Sequence, residues 1–436
     1  MADTKPQSPS LPPSLPPSLW AATAEPAPQA HPLSEARQVD VAVVGGGYAG
    51  LSTALHLAQA GTGVAVLEAG EVGWGASGRN GGQVIPGLKY DPDELVGKFG
   101  PETGERMATV FGATADTVFD LIERHGIACD AVRKGWVQPA HSPAGMETAR
   151  RRCEQWARWG ANVALLDRDR TAEILGTDFY HGGWIDYRAG SVQPLSYARG
   201  LARAAIAAGA TVHTRSPVVK LDRDGSVWRL TTAQGTELAA ERVVLCTNGY
   251  TDDLWPGLSR TIIAANSAQI ATKPLPEDVR NSILRGGVVA SDTRRLLSYF
   301  RLDAQGRFLM GGRGWFREPK DHDYFSHLVK MVATLYPQLR GIDYEYRWSG
   351  RVALTQDFFP HLHEPEPGLL FALGCQGRGV GLQTTMGGIL ARYVQTGDRT
   401  ELPIPITRIK PIPFHAFHKA YVSALIAFYR MLDRFR

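Results

Sequence analysis

Cysteine is scarce in this chain: Cys129, Cys153, Cys246 and Cys375 are the only four in 436 residues, and none fall at C-x-x-C spacing. That argues against a disulfide framework and a structural zinc site, and fits a reducing compartment. Charge of one sign is missing too. The formal net charge is +4 at pH 7, and no basic stripe interleaved with aromatics runs through the sequence, so nucleic acid is not an expected partner. No apolar run reaches the roughly 18 residues of a membrane span. The nearest, "AYVSALIAFYRML" by the C-terminus, is too short, and the expectation is that it packs on the domain rather than on a membrane. A secretory signal is lacking as well: no basic segment leads into a continuous apolar one. Together these absences predict a cytoplasmic protein. Hydrophobic content of 44% and charged content of 21% belong to an ordinary globular chain, long enough for two domains and a sizeable core.

Proline and glycine are what the sequence does have, and they mark its organisation. Residues 1–33 repeat Ser-Leu-Pro-Pro and show no pattern able to bury a core, so a disordered, polyproline-like tail is expected there. "VDVAVVGGGYAG" follows. Its β-branched run reads as a buried parallel strand ending at Val44, with Gly45, Gly47 and Gly50 at G-x-G-x-x-G spacing behind it. Leu51, Ala54, Leu55 and Ala58 then share one face of a helix, and "VAVLEAG" makes a second strand that delivers Glu68 at its end. This is a β-α-β unit with a terminal acid, the dinucleotide-binding arrangement. Gly45 permits the tight turn, Gly47 lets backbone approach a pyrophosphate, and Gly50 lets the helix pack close. The helix N-terminus turns its unpaired N–H groups toward the phosphates.

The bare motif does not separate FAD from NAD. The next segment does: "GWGASGRNGGQV" carries five glycines in twelve residues, a loop bare enough to run along an extended cofactor and hold its oxygens by backbone N–H groups. Further on, "GLLFALGCQGRGVGLQTTMGGILARYV" reads as a strand over Leu369 to Leu373, a glycine-rich loop, and a helix to about Val394. Such a helix start stabilises anionic charge. Between these regions, "TVHTRSPVVKLDRDGSVWRLTTAQGTELAAERVVLCTNGY" reads as a β-meander with strands at 211–221, 226–232 and 236–246. Alternating strands from 261 to 346 suggest a second antiparallel sheet with a helical insertion around Ser326–Leu335.

Taken in order, "DVAVVGGGYAGLSTALHLAQAG", "VLEAGEVGWGASGRNGGQ", "RVVLCTNGY", "YRWSGRVALTQDFFP" and "GCQGRGVGLQTTMGG" resemble the FAD-dependent D-amino-acid oxidase superfamily, and within it the gamma-glutamylputrescine branch. The likeness runs from about Leu19 to the C-terminus. It implies an α/β fold: a Rossmann-like FAD-binding domain assembled from non-contiguous segments (34–90, 187–260 and 347–410), an antiparallel α+β substrate domain (91–186 and 261–346), and a helical extension at 411–436. It also implies roles. Gly45, Gly47, Tyr48, Ala49, Gly50, Glu68 and Ala69 would hold the ADP half of FAD. Gly75, Ala76, Ser77, Arg79, Asn80, Gly81, Gly82 and Gln83 would line the pyrophosphate and flavin. Val218 would meet adenine through its backbone, and Thr247, Asn248 and Gly249 would lie close by. Gly350 and the run Gly377, Arg378, Gly379, Val380, Gly381 and Leu382 would border the flavin.

Departures from the family pattern bear on substrate. Relatives with covalent flavin have a cysteine where this chain has Gly350, so non-covalent FAD is expected. Amino-acid-oxidising members place a carboxylate-clamping arginine where this chain has Val352, and Arg351 is one residue off, on the opposite face of a strand. The lysine that helps oxygen reduction in some relatives corresponds to Leu309, and the branch histidine to Arg378. The implied reaction oxidises the C–N bond of a small-molecule amine to an imine, with oxygen as acceptor and hydrogen peroxide as product. The alternatives are a flavin dehydrogenase that passes electrons to a quinone or carrier protein, and a non-catalytic FAD-binding protein. Tyr299, Arg301, Trp348, Arg351 and Arg378 are the pocket candidates, each equally readable as a core or surface residue.

Overall fold

The computed structural model describes residue 12 and residues 14–432. Its centre is a sheet in which the strand Arg37–Val44 pairs in parallel with Val64–Leu67 on one side and Glu237–Leu245 on the other. Thr211–His213 extends the parallel run beyond Val64–Leu67. Glu237–Leu245 changes partner along its outer edge. Its first half pairs antiparallel with Val227–Thr232, and its last residues pair in parallel with Leu369–Leu373. Val41 to Val44 are buried, which is why that strand reads as an unbroken apolar run rather than an alternating one.

The helix Tyr48–Gln59 lies on this sheet with Leu51, Ala54, Leu55 and Ala58 buried, as its periodicity predicts. Against it packs the helix Gly379–Thr396. The two cross at Gly387, where a Cβ would come within 2.5 Å of Ser52 Cβ and 2.6 Å of Ala49 O. Ser52 Oγ donates to Thr384 O at 2.8 Å across the same contact. Both glycine-rich loops thus lead into helices that lean on one another.

The second sheet runs in the order Tyr344–Leu354, Ile263–Pro274, Arg307–Arg313, Tyr299–Leu302, Val289–Ser291, Trp136–Pro139, Gly183–Asp186, Val163–Leu166. All neighbours are antiparallel except Val289–Ser291 with Trp136–Pro139. The helix Ser326–Leu335 covers one face, packing with Phe300, Phe308, Met310 and Tyr336 in a core of their own.

Several expectations need correction. Disorder over 1–33 fails where the chain is described up to Leu33: Leu19–Thr23 is a helix, Leu19 and Trp20 are fully buried, and Leu33 N donates to Ser216 Oγ. Residues 1–11 and 13 of that tail lie outside the described residues. The meander's first strand is two strands, Thr211–His213 and Val218–Asp224, which belong to different parts of the sheet. The helices Pro101–Gly112 and Thr114–His125, assigned to the substrate domain, bury Met107, Phe111, Val118 and Leu121 in the dinucleotide-binding core. Amphipathic spacing shows that a helix buries a face, but not against which sheet. The boundary at 347 falls inside one continuous strand. The C-terminal helix His418–Leu432 packs on the domain along only one side: His418 stacks edge-on to Phe316 and Tyr429 lies under Arg295. Phe414, Phe417, Tyr421, Leu425, Phe428 and Met431 are exposed.

Candidate flavin site

The first glycine loop is shaped by close approach. Gly45 has φ +110° and its position would set a Cβ 2.9 Å from Cys246 O, while a Cβ on Gly50 would overlap the Gly45 carbonyl oxygen. Gly47 caps the helix without a side chain of its own, and of the first-turn N–H groups Tyr48 N is taken by Ser77 Oγ while Ala49 N and Gly50 N have no capping side chain. Glu68 stands beside them, 8% exposed, and accepts from Gly46 N at 2.6 Å and Gly70 N at 2.8 Å. Burial pushes its carboxyl above the usual range, and these two amides hold it back. Ser216 N donates to Glu68 O, which brings Val218 into the same corner.

The "GASGRNGGQ" loop is held from every side. Tyr48 N donates to Ser77 Oγ at 3.0 Å, and Tyr48 Oη donates to Ser77 O. Asn80 Nδ2 donates to Tyr48 Oη, and Asn80 Oδ1 accepts from Gly82 N at 2.8 Å. Arg79 donates from Nε to Trp74 O and lies 4.5 Å from the Trp74 ring. Its carbonyl accepts from Trp348 Nε1 at 3.0 Å and from Gln269 Nε2. Gln83 Nε2 donates to Ala290 O and Phe300 O of the second sheet. The loop is therefore fixed between the two sheets, with Gly75 and Ala76 leading into its short helical turn.

The C-terminal loop closes the site from a third direction. Asn248, at φ +41°, accepts from Gly374 N at 3.0 Å through Oδ1, while Gly249 packs against Arg351 and Thr247 Oγ1 meets Thr251 Oγ1 at 2.8 Å. Gly377 takes φ +81° ahead of the helix that begins at Gly379. Val380 and Leu382 point into the core and Gly381 packs against Thr114, so only the backbone of this run is available to a ligand. On the first turn of that helix, Gln383 is 6% exposed and neither amide atom has a partner among the described residues. An ordered water or a bound ligand satisfies such an orphan.

The pocket candidates separate into two groups. Arg301 is 3% exposed and donates from Nη1 to Gly82 O and Val192 O, and Trp348 is 2% exposed; both hold the loop rather than open onto it. Arg351 turns away, over Tyr250 and toward Glu318. Tyr299 and Arg378 remain. The Tyr299 ring crosses the bare backbone of Gly311 and Gly81, with its hydroxyl 2.8 Å from Ser267 Oγ. Burial raises the phenol well above its ordinary range, so it keeps its proton at neutral pH. Arg378 donates to Pro86 O and lies 5.6 Å from the Trp136 ring; burial lowers its guanidinium to about 10, with Arg152 adding to the shift.

Two participants escape a reading of the sequence. Trp20, from the supposed tail, donates from Nε1 to Asn80 O at 2.7 Å, stacks edge-on to Trp348 and lies 5.1 Å from the Arg301 guanidinium. Arg313 falls two residues after Gly311, on the sheet face that Tyr299 crosses. Its Nε and Nη2 are buried without a partner among the described residues. The "LW" pair was a visible apolar signal; Arg313 gave none.

A parallel sheet with its glycine cradle, a terminal acid and a second sheet over a backbone-lined loop define a dinucleotide-binding oxidoreductase. The chain belongs to the FAD dependent oxidoreductase family, whose model matches residues 40–393. It is 32% identical over 403 residues to gamma-glutamylputrescine oxidoreductase of Escherichia coli, covering 90% of this chain and 93% of that protein. It is 31% identical over 412 residues to the probable oxidoreductase OrdL of Haemophilus influenzae, covering 93% of this chain and 94% of that one. Among solved structures, glycine oxidase from Geobacillus kaustophilus superposes with a TM-score of 0.72 over 85% of this chain and 99% of that one, at 24% identity. FAD is the cofactor, and the cradle fits it: Gly45 and Gly50 leave no room for a Cβ against the backbone, and both amide atoms of the buried Gln383 lack a partner among the described residues. The protein is an oxidoreductase acting on C–N groups. No helix among the described residues is long and apolar enough to cross a membrane.

Proposed function

We propose that this protein oxidises the C–N bond of a gamma-glutamylputrescine-like amine, with oxygen as acceptor and hydrogen peroxide as the second product. When bound, FAD supplies the two-electron acceptor for hydride leaving the carbon beside the nitrogen. The chain supplies binding and orientation. Gly45, Gly47, Gly50 and Glu68 hold the ADP half, the Ser77–Gln83 loop holds the pyrophosphate and flavin side, and the backbone at Gly377–Gly381 borders the ring. FAD is held without a covalent bond, because Gly350 offers no thiol at the position of the tethering cysteine, and a Cβ there would meet Arg79 Cβ at 2.9 Å.

The observation that carries the amine reading is the sheet face against the loop. The position where amino-acid oxidases clamp a carboxylate is Val352, and Arg351 next to it is committed to Tyr250 and Glu318. What faces the loop instead is Tyr299, whose proton is retained and whose ring suits an uncharged amine. Anaerobic addition of gamma-glutamylputrescine to the purified yellow protein is expected to bleach the main visible band, and air is expected to restore it with release of peroxide. A band that does not bleach removes this amine as substrate.

A second reading, a dehydrogenase of amines or amino acids that passes electrons to a membrane quinone, is favoured by the exposed apolar stripe on the C-terminal helix. The Arg313 guanidinium, which lies over the Phe316 ring with Nε and Nη2 lacking a hydrogen-bond partner among the described residues, is the group that would take an amino acid's carboxylate in that case. Peroxide yield in air discriminates: a dehydrogenase bleaches with substrate yet gives little peroxide until a quinone is supplied.

A further inference from the structure

Arg378 leads, through the chain segment it holds, to a separate space that it does not itself line. Its guanidinium reaches Pro86 O and the bare backbone of Gly87, and two residues further on Lys89 lines a cavity of about 360 Å³. The helix Pro143–Arg158 and the turn at 292–297 supply the other walls. The lining is basic: Lys89, Arg152, Arg294 and Arg295 against one carboxylate, Asp292. Two of these cations are matched. Arg294 pairs with Asp292 at 2.6 Å, and Arg152 reaches Asp91 Oδ2 and Gln138 Oε1, both at 3.0 Å.

Lys89 is different. Among the described residues no carboxylate lies within ion-pair reach of its ammonium. The groups that bear on it are two further cations, Arg378 and Arg152, and the Cys375 thiol. Burial and those guanidinium groups lower it to about 7. An ammonium so placed gives up its proton readily, and an anionic ligand in the cavity would favour its charged form. The cavity connects to Arg378 through Lys89, whose ammonium feels the Arg378 guanidinium, and its polar lining of Gln138, His141, Ser142 and Thr293 can hold oxygens.

We infer that this cavity binds the carboxylate at the far end of the amine substrate, with Lys89 as the anchoring cation and Arg152 beside it. The inference rests on the amine-oxidation reading and names the substrate class more closely: a primary amine joined by a flexible chain to an acid. A gamma-glutamyl group has this form, with its carboxylate at the end remote from the reacting nitrogen. The arrangement separates the two tasks in space. The reacting end meets Tyr299 and no clamp at Val352, while charge recognition takes place beyond Arg378.

Two probes test it: N-glutarylputrescine, which keeps the tail carboxylate, and N-butyrylputrescine, which lacks it. Anaerobic calorimetric titration of the FAD-loaded protein is expected to show the glutaryl compound binding about tenfold or more tightly, as a charge-assisted hydrogen bond implies. Lys89→Met is expected to remove that preference and Lys89→Arg to restore it. The preference in the native protein is expected to fall as pH rises from about 6 to about 9, because Lys89 loses its proton. Arg378 keeps its proton across this range, and besides Lys89 the charged or ionisable groups facing the cavity are Arg152, Arg294, Arg295, Asp292 and His141. The fall is expected to be absent in Lys89→Arg, which separates Lys89 from His141. Equal binding of the two probes, or a preference that survives Lys89→Met, overturns the inference. Bleaching of the flavin is read in the same samples: if neither compound bleaches it, the amine reading falls, while the binding ratio still decides the anion site.

Discussion

Gly350 shows how much a single Cβ decides. It packs against Arg79, the residue whose carbonyl is held by Trp348 and Gln269. Gly350→Cys, the change that imitates relatives with tethered flavin, is expected to push Arg79 off its seat and weaken FAD retention, with no flavin left on the protein after acid precipitation. Covalent flavin in that precipitate would contradict the packing argument. Trp20 makes the complementary case. It is fully buried, holds Asn80 O and meets both Trp348 and Arg301. Trp20→Ala is expected to cost about 3–5 kcal/mol of stability, read as a lower Tm, and to release FAD more readily. A variant with native Tm and native flavin content would show that the segment is only laid on the surface. The glycines were legible because each answers a local steric demand that the motif spacing announces. Trp20 was not, since a five-residue helix between prolines has no periodicity to detect and its partners lie 60 or more positions away.

At the scale of elements, the cradle depends on two helices that touch at Gly387. Both begin at a glycine-rich loop, so a shift in their packing moves two walls of the cofactor site together. Gly387→Val places a side chain against Ser52 Cβ and Ala49 O. It is expected to cost about 1–3 kcal/mol by overpacking and to raise the FAD dissociation constant, measured by flavin fluorescence on titration. Unchanged affinity would mean that each helix start is held by its own sheet alone. The individual strands and helices of this region were readable: the run Leu369–Leu373, the helix after it and the first β-α-β unit stand as their sequences suggest. Their pairing was not. Thr211–His213 looks like part of a meander but continues the parallel sheet, because strand propensity marks a pleated segment without naming its neighbour. The helices at 101–125 were misplaced for the same reason: their apolar faces fit either sheet, and only the chain's path selects the first.

On the scale of the whole molecule, the two sheets and their loops enclose the site, and the C-terminal helix stands outside that enclosure. Its stripe of Tyr421, Leu425, Phe428 and Met431 recurs at helical spacing and faces solvent, with Phe414 and Phe417 exposed in the turn just ahead of it. From residue 402 to residue 432 the chain carries Arg408, Lys410, Lys419 and Arg430 and no acidic residue. An apolar face with a surplus of cations around it, against Glu401 and Asp433 at the two ends of this stretch, matches an anionic bilayer better than it matches water. If the dehydrogenase reading holds, vesicles containing anionic lipid are expected to co-sediment the protein and neutral vesicles to leave it in solution, with retention falling as salt rises. Phe417→Glu together with Phe428→Glu, on the exposed face and remote from the loops that cradle FAD, is expected to abolish co-sedimentation. In the native protein, quinone carried by those vesicles is expected to take electrons faster than oxygen does. Protein that ignores anionic vesicles, or that buries the stripe in a dimer indifferent to lipid, removes the ground for a membrane acceptor and leaves oxygen or a carrier protein as the oxidant of the bound flavin.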